Sequence, residues 1–179
     1  MDYLKILHEN PDLAEEFDSL FDFFLLDELS PRDDAEGRCT FSMPGMAFAR
    51  DGSGGEYHLL EDGSIGYYSS EGEAGRLAES MDDLFSLLVS CICWHDCCDA
   101  KQYVDSKTLE EYGQRQRNTN LEDMDSLRRV SDALGIPTGE PLAPVLERFR
   151  KATQREPVYQ CIFHEDDGSL TESYGLMFE

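Results

Sequence analysis

The stretch Asp51-Gly52-Ser53-Gly54-Gly55-Glu56-Tyr57-His58-Leu59-Leu60-Glu61-Asp62-Gly63-Ser64-Ile65-Gly66-Tyr67-Tyr68-Ser69 decides the fold. It holds two short runs, 56–60 and 65–69, each preceded by Asp-Gly-Ser. Asp-Gly is the strongest short-range hairpin signal because both central turn positions favour positive φ. The pair therefore predicts an antiparallel meander. Alternation sends one of Tyr67 and Tyr68 inward. A third Asp-Gly-Ser, at Asp167, separates 158–164 from 170–178 and predicts a hairpin near the C-terminus. The triplets are turn chemistry, not a repeat of solenoid length.

Upstream, Asn10-Pro11-Asp12 reads as a helix start, with a capping side chain and a proline whose missing N–H costs nothing there. Leu13, Phe17, Leu20, Phe21 and Phe24 recur at helical spacing, so the helix is expected to run to about Leu29, ended by Ser30-Pro31-Arg32-Asp33-Asp34. Downstream, Ser80-Met81-Asp82-Asp83 resembles a capping box and opens a helix carrying Leu84, Phe85, Leu87, Leu88, Cys91, Ile92 and Trp94, apolar around most of its circumference. Residues 99–119 read as a polar linker with a short helix near 109–112. Asn120-Leu121-Glu122-Asp123 starts a helix that closes at Gly135, and Pro141 starts one with Leu142, Val145, Leu146 and Phe149 on one stripe. The expected fold is α+β: an antiparallel sheet of about four to six strands wrapped by helices. One domain over 1–179 is expected, with a core at about 41–98, a helical segment at about 105–155 and a terminal hairpin at about 158–178.

Composition supports a folded chain. Hydrophobic residues make up 40% and aromatic residues 11% of the 179, too many for an acidic disordered tail. Against 38 Asp and Glu stand 15 Lys and Arg, a formal net charge of −23. Such a field repels phosphate backbones and anionic lipid surfaces and speeds encounter with a basic partner. Direct nucleic-acid binding and membrane binding are therefore not expected. The charge is uneven: residues 1–100 carry 23 acidic and 5 basic side chains, residues 101–179 carry 15 and 10. The N-terminus lacks a basic leader followed by an apolar run, and 84–94 is too short to span a bilayer. Four of six cysteines crowd at Cys91, Cys93, Cys97 and Cys98, unlike a disulfide framework, so reduced thiols in a cytoplasmic protein are expected. Nothing in the residues sets an oligomeric state.

No motif makes a convincing catalytic site, and no cofactor is expected. Asp51-Gly52-Ser53-Gly54-Gly55 has the wrong order for the nucleophile segment of trypsin-like proteases, and a strand-initiating turn is its simpler reading. His58 and His164 sit in no local catalytic signature. Gly52 to Gly55 is not followed by the Gly-Lys-Ser/Thr of a phosphate loop, and Asp166-Asp167-Gly168 is too short for a calcium loop. Were the central helix to continue through Asp99, Cys91, His95 and Cys98 would share one face at i, i+4 and i+7 and could hold zinc with an open fourth position. Paired Cys-x-x-Cys knuckles are absent and buried free cysteine is common, so packing is the preferred reading and no metal is expected.

Three segments together resemble the SUKH superfamily, which includes fungal cell-wall-synthesis regulators and bacterial immunity proteins. They are Phe48-Ala49-Arg50-Asp51-Gly52-Ser53-Gly54-Gly55-Glu56-Tyr57, Asp62-Gly63-Ser64-Ile65-Gly66-Tyr67 and Ser70-Glu71-Gly72-Glu73-Ala74-Gly75-Arg76-Leu77-Ala78. The similarity covers about forty-five residues from Phe48 to just beyond Phe85. The N-terminal Leu-Pro and Phe-Leu-x-x-Asn-Gly-Gly-like segments of that group are not recognisable in 1–47, and 100–155 is longer than its pattern. The resemblance implies a sheet wrapped by helices and a non-enzymatic role: binding and neutralising a cognate toxin, often a nuclease. An acidic protein suits the basic cleft that a nuclease must present. The expected binding face holds Asp51, Glu56, Asp62, Glu71 and Glu73 with Tyr57, Tyr67 and Tyr68 as aromatic anchors. The competing readings are a regulatory scaffold that docks a cellular protein, through the more basic 147–155 helix for instance, and a zinc protein using Cys91, His95 and Cys98.

Overall fold

A computed structural model describes residues 2–31 and 38–177. The chain opens with helix α1 (Tyr3–Glu9), capped by the Asp2 side chain, which accepts from the Lys5 N–H at 3.1 Å. Helix α2 (Pro11–Phe21) follows with Pro11 in its first turn, as expected. The expected cap is not made: Asn10 instead donates its side-chain amide to the Ile6 carbonyl at 2.7 Å, closing α1.

Helix α2 also stops eight residues short of the expected Leu29. Asp22 turns left-handed (φ 50, ψ 50), and β1 (Phe24–Pro31) begins two residues later. The run Phe23-Phe24-Leu25-Leu26 is continuous, so it satisfies a helical or a strand period, and sheet pairing decides between them. The terminator read at 30–34 falls partly on residues 32–37, outside the described residues.

Strands β2 (Cys39–Phe41), β3 (Gly45–Arg50), β4 (Glu56–Leu60), β5 (Ile65–Tyr68) and β6 (Ala74–Ala78) come next. The main sheet runs β1-β3-β4-β5-β6, antiparallel throughout, with Phe24 opposite Arg50, Ala47 opposite His58 and Tyr57 opposite Tyr67. The Asp-Gly meander is thus the middle of the sheet. Its turn chemistry differs in one respect from the expectation: φ is positive at Gly54, Gly63 and Gly168, and the aspartates keep ordinary backbone. Each aspartate instead folds its carboxylate over the turn, Asp62 accepting from the Ser64 N–H at 3.0 Å and Asp167 from the Ser169 N–H at 2.8 Å.

Ser80 caps α3 (Met81–Cys91), accepting from the Asp83 N–H at 3.2 Å. The helix ends at Cys91, where Ile92 takes φ 67, and a separate 3-10 turn spans His95–Cys97. Cys91, His95 and Cys98 therefore do not share a helical face, and among the described residues no three His, Cys, Asp or Glu side chains are grouped to hold a metal. The premise of the zinc reading falls with the helix.

The expected linker at 99–119 is the longest helix described, α4 (Ser106–Asn120), with a 3-10 turn at Ala100–Gln102 before it. Its buried stripe is Leu109, Tyr112, Gly113 and Arg117, in which a glycine and an arginine hide the apolar period. Gly113 is a packing requirement: a Cβ there would lie 3.0 Å from both Leu142 Cβ and Leu146 Cδ1. Asn120 ends this helix, so α5 (Met124–Leu134) is capped by Asp123 instead, which accepts from the N–H groups of Asp125 (2.9 Å) and Ser126 (3.0 Å). Gly135 closes α5 as expected, and α6 (Leu142–Thr153) buries the expected Leu142, Val145, Leu146 and Phe149. The C-terminal hairpin forms as β7 (Cys161–His164) and β8 (Leu170–Glu172) and joins β2 in a second sheet, β2-β7-β8; residue 178, the last of the expected hairpin, lies outside the described residues.

Helix α3 is the centre of the core. Phe85 meets Tyr3, Phe17 and Phe23 at ring-centroid distances of 4.4, 5.3 and 6.0 Å, and Phe23 meets Tyr57 of the sheet at 4.8 Å. Burying each such ring contributes roughly 1.5–3 kcal/mol. Helices α1, α2, α4 and α6 pack around this seam, and α5 lies against α2.

Candidate functional site

Two adjoining hollows lie along α2. The larger is a groove of about 440 Å³ between α2 and α5, lined by Asp12, Glu15, Glu16, Ser19, Leu20, Asn120, Glu122, Asp123 and Ser126. Helical geometry explains its α2 wall: Asp12, Glu15 and Glu16 stand at i, i+3 and i+4 and share one face. The opposite wall comes from Glu122 and from Asp123, at the cap of α5. Glu16 is paired to Arg129, whose Nε lies at 3.0 Å, and that bond holds its carboxyl below the usual range. Asp12, Glu15 and Glu122 have no ion pair among the described residues. One turn along α2, burial and the Glu15 charge raise Asp18 to about 6.

The smaller hollow is a cleft of about 220 Å³ where the end of α2 meets the 51–55 turn and the segment after α3. Asp22, Asp51, Tyr57, Cys93, Trp94 and His95 contribute to its lining, and it shares Ser19, Leu20 and Asn120 with the groove. Asp51 is the hub. Its Oδ1 accepts from the N–H groups of Ser53 (2.9 Å) and Gly55 (2.7 Å) and from the Ser53 hydroxyl (2.7 Å), and its Oδ2 accepts from the Tyr67 hydroxyl. Burial pushes this carboxyl up, yet the bonds from Tyr67, Ser53 and Gly55 and the proximity of His95 outweigh it and hold the pKa low. His95 Nε2 is 3.9 Å from Asp51 Oδ2, and the His95 ring stacks on Trp94 at 3.7 Å. Partial burial keeps that imidazole below its ordinary pKa despite Asp51, Asp96 and Asp22. Trp94 is fixed from behind by donating its indole N–H to the Tyr57 hydroxyl at 3.0 Å. Burial holds the Cys93 thiol above its usual pKa, which keeps it protonated rather than nucleophilic.

The eight residues expected on the binding face do not form one outward surface. Tyr57 and Tyr67 are core residues at 1% and 0% exposure, and Asp51 is buried at the turn; Asp51 and Tyr57 line the cleft, and Tyr67 lies behind it, donating to Asp51. Glu56 is held by Arg50 (2.9 Å) and by His58 (3.1 Å). Asp62 is tied to buried Arg76 (3.3 Å) and to Arg155 (2.8 Å). Tyr68, half-buried, packs between Phe41 and Phe163 of the second sheet, at 5.4 and 6.4 Å. Glu73 is half-buried, with its carboxyl raised by burial and by Glu71, which is exposed on the same turn. The charges of Glu56 and Asp62 are thus taken up by ion pairs within the chain.

The sequence reading does not find the groove, because its walls are about 110 residues apart; the i, i+3, i+4 spacing of Asp12, Glu15 and Glu16 is the one local signal that points to it. No helix among the described residues is long and apolar enough to cross a membrane, and no disulfide links the six cysteines. No protein-family model matches the chain, and neither a curated protein sequence nor a solved structure shows significant similarity to it.

Proposed function

We propose that this chain is a non-enzymatic protein-binding domain of the SUKH immunity type, which binds and neutralises a basic toxin domain of nuclease class. The observation that carries the proposal is the carboxylate-lined groove between α2 and α5, with Asp12, Glu15 and Glu122 free of ion pairs among the described residues. A surface of this sign matches the cationic cleft by which a nuclease grips phosphate, and the net charge of −23 accelerates their encounter. The fold reading that accompanies the resemblance, a sheet wrapped by helices, agrees with the architecture.

Co-expression tests it directly. The proposal expects a neighbouring gene for a secreted toxin: cells producing that toxin survive when the wild-type chain is present, and the purified pair binds with an affinity that falls steeply between low and physiological salt. The double variant Glu15→Gln with Glu122→Gln weakens that binding at least tenfold at low salt, and rescue fails or becomes partial. Rescue that is absent with the wild-type chain, or binding indifferent to both salt and the double variant, overturns the proposal. Recovery of a stable housekeeping protein in place of a toxin would support the scaffold reading instead.

A further inference from the structure

The cleft beside the groove holds a buried carboxylate, whereas Asp12, Glu15 and Glu122 of the groove are exposed. Asp51 is 7% exposed and stays ionised, but the hydrogen bonds its carboxylate accepts, from Ser53, Gly55 and Tyr67, all come from neutral donors. Among the described residues the one ion pair it makes is with His95 Nε2 at 3.9 Å, and partial burial holds that ring below its ordinary pKa, which disfavours its charged form. Asp22 supplies a second carboxylate at the rim, where its Oδ1 accepts from the Gly52 N–H at 3.0 Å. No lysine or arginine lines the cleft among the described residues. Those bonds hold the carboxylate ionised without neutralising it, so the cleft keeps a negative charge that a cation arriving from outside can pair.

The rest of the wall mixes Leu20, Ile92, Cys93 and Asn120 with rings: Tyr57 and Trp94 are 1% and 2% exposed, and the exposed His95 ring stacks on Trp94 with planes 26° apart. The volume of about 220 Å³ holds roughly seven waters at about 30 Å³ each, enough for a guanidinium and its aliphatic stem. We infer that the cleft is the receptor for one arginine side chain of the basic partner, its guanidinium set between Asp22 and Asp51 and its plane against the exposed ring of the wall. The inference rests on the binding function proposed above and names the anchor within it. Arginine suits the cleft better than lysine because its forked donors reach two carboxylates at once, its plane stacks on aromatic rings and its weaker hydration tolerates burial. Arginine is also among the residues that dominate binding energy at protein interfaces. Because groove and cleft share Ser19, Leu20 and Asn120, a basic segment lying in the groove brings a side chain to the cleft.

Trp94 is the single tryptophan of the chain, so its fluorescence reports on the cleft alone. The full chain is titrated at constant ionic strength with acetyl-arginine amide, acetyl-lysine amide and acetyl-citrulline amide, the last matching arginine in shape without its charge. The expected result is a saturable change with the arginine probe and at least tenfold weaker binding of the other two. Asp22→Asn keeps a side-chain oxygen for Gly52 and a residue that accepts left-handed backbone; it is expected to weaken the arginine probe at least tenfold while the thermal melt stays unchanged. No saturable change at millimolar arginine probe, an equal response to citrulline, or an unaltered Asp22→Asn affinity in a folded variant overturns the inference. Should the toxin still bind through Glu15 and Glu122 while the arginine probe does not, the cleft assignment alone falls and the proposed function stands.

Discussion

Asp51 shows how one side chain serves a turn and a site at once. One oxygen closes the turn over Ser53 and Gly55, and the other is held by Tyr67, sixteen residues away, beneath the cleft. Tyr67→Phe removes that donor and leaves a buried oxygen short of a partner, so we expect a loss of about 1–2 kcal/mol in urea unfolding. The pH profile gives the sign. Asp51 has a lowered folded pKa, so its contribution is complete above the unfolded value near 3.8 and is lost as pH falls through the folded value. In Tyr67→Phe the folded value rises, and acid unfolding begins at higher pH. Gly55→Ala brings a Cβ against the Tyr67 hydroxyl and, at 2.7 Å, its Cζ, and should destabilise by more than about 2 kcal/mol, read from the same denaturation curve. The turn half of this arrangement was legible, because Asp-Gly-Ser is local chemistry. The Tyr67 half was not, since an alternating strand says that one of two tyrosines points inward without saying what its hydroxyl meets.

At the scale of elements, the meander, α3, α6 and the C-cap of α5 could be read from apolar period and punctuation, and the two largest misses have separate causes. Residues 24–31 satisfy either period, and only pairing with β3 makes them a strand. Helix α4 buries a glycine and an arginine on its inner stripe, so its apolar period is too weak to detect. The helix does its packing through close approach, which a sequence does not advertise. Helix α2 carries a testable strain of its own. Asp18 lies in its last turn, where a negative charge opposes the helix dipole, and burial and Glu15 raise its pKa to about 6. Because this acid binds its proton more tightly when folded, stability falls as pH rises from about 4 to about 6 and stays lower above. Asp18→Asn should therefore stabilise the protein at pH 7 by about 1 kcal/mol, after allowance for solvent screening, and have little effect at pH 4, as measured by paired thermal melts.

Across the whole molecule, charge sets the behaviour. A net charge of −23 on 179 residues repels itself, so the melting temperature should rise as sodium chloride is added from low to physiological strength, while affinity for a basic partner falls over the same range. Opposite salt trends in stability and binding separate the global field from the local groove. Within that field Arg76 is a fixed internal cation, fully buried and donating to Ser64 (2.9 Å) and to the carbonyls of Arg155 (2.9 Å) and Pro157 (3.1 Å) while facing Asp62. Arg76→Ala leaves those acceptors and Asp62 unmatched, and a loss of about 3–5 kcal/mol in denaturant unfolding is expected. The acidity of the chain was plain from its composition. That five of these carboxylates, Asp12, Glu15, Glu16, Glu122 and Asp123, line one groove was not, because its walls meet only after folding.

The second sheet has a consequence for how the chain is made. Ser42, just beyond β2, receives the Gln160 N–H at 2.9 Å from 118 residues downstream. A ribosome releasing the chain from its N-terminus exposes all five strands of the main sheet and α3 well before β7 exists. The clasp of β2 by β7 and β8 is therefore the final step of maturation, and until it closes, Phe41 waits on a nascent chain without its ring partner Tyr159.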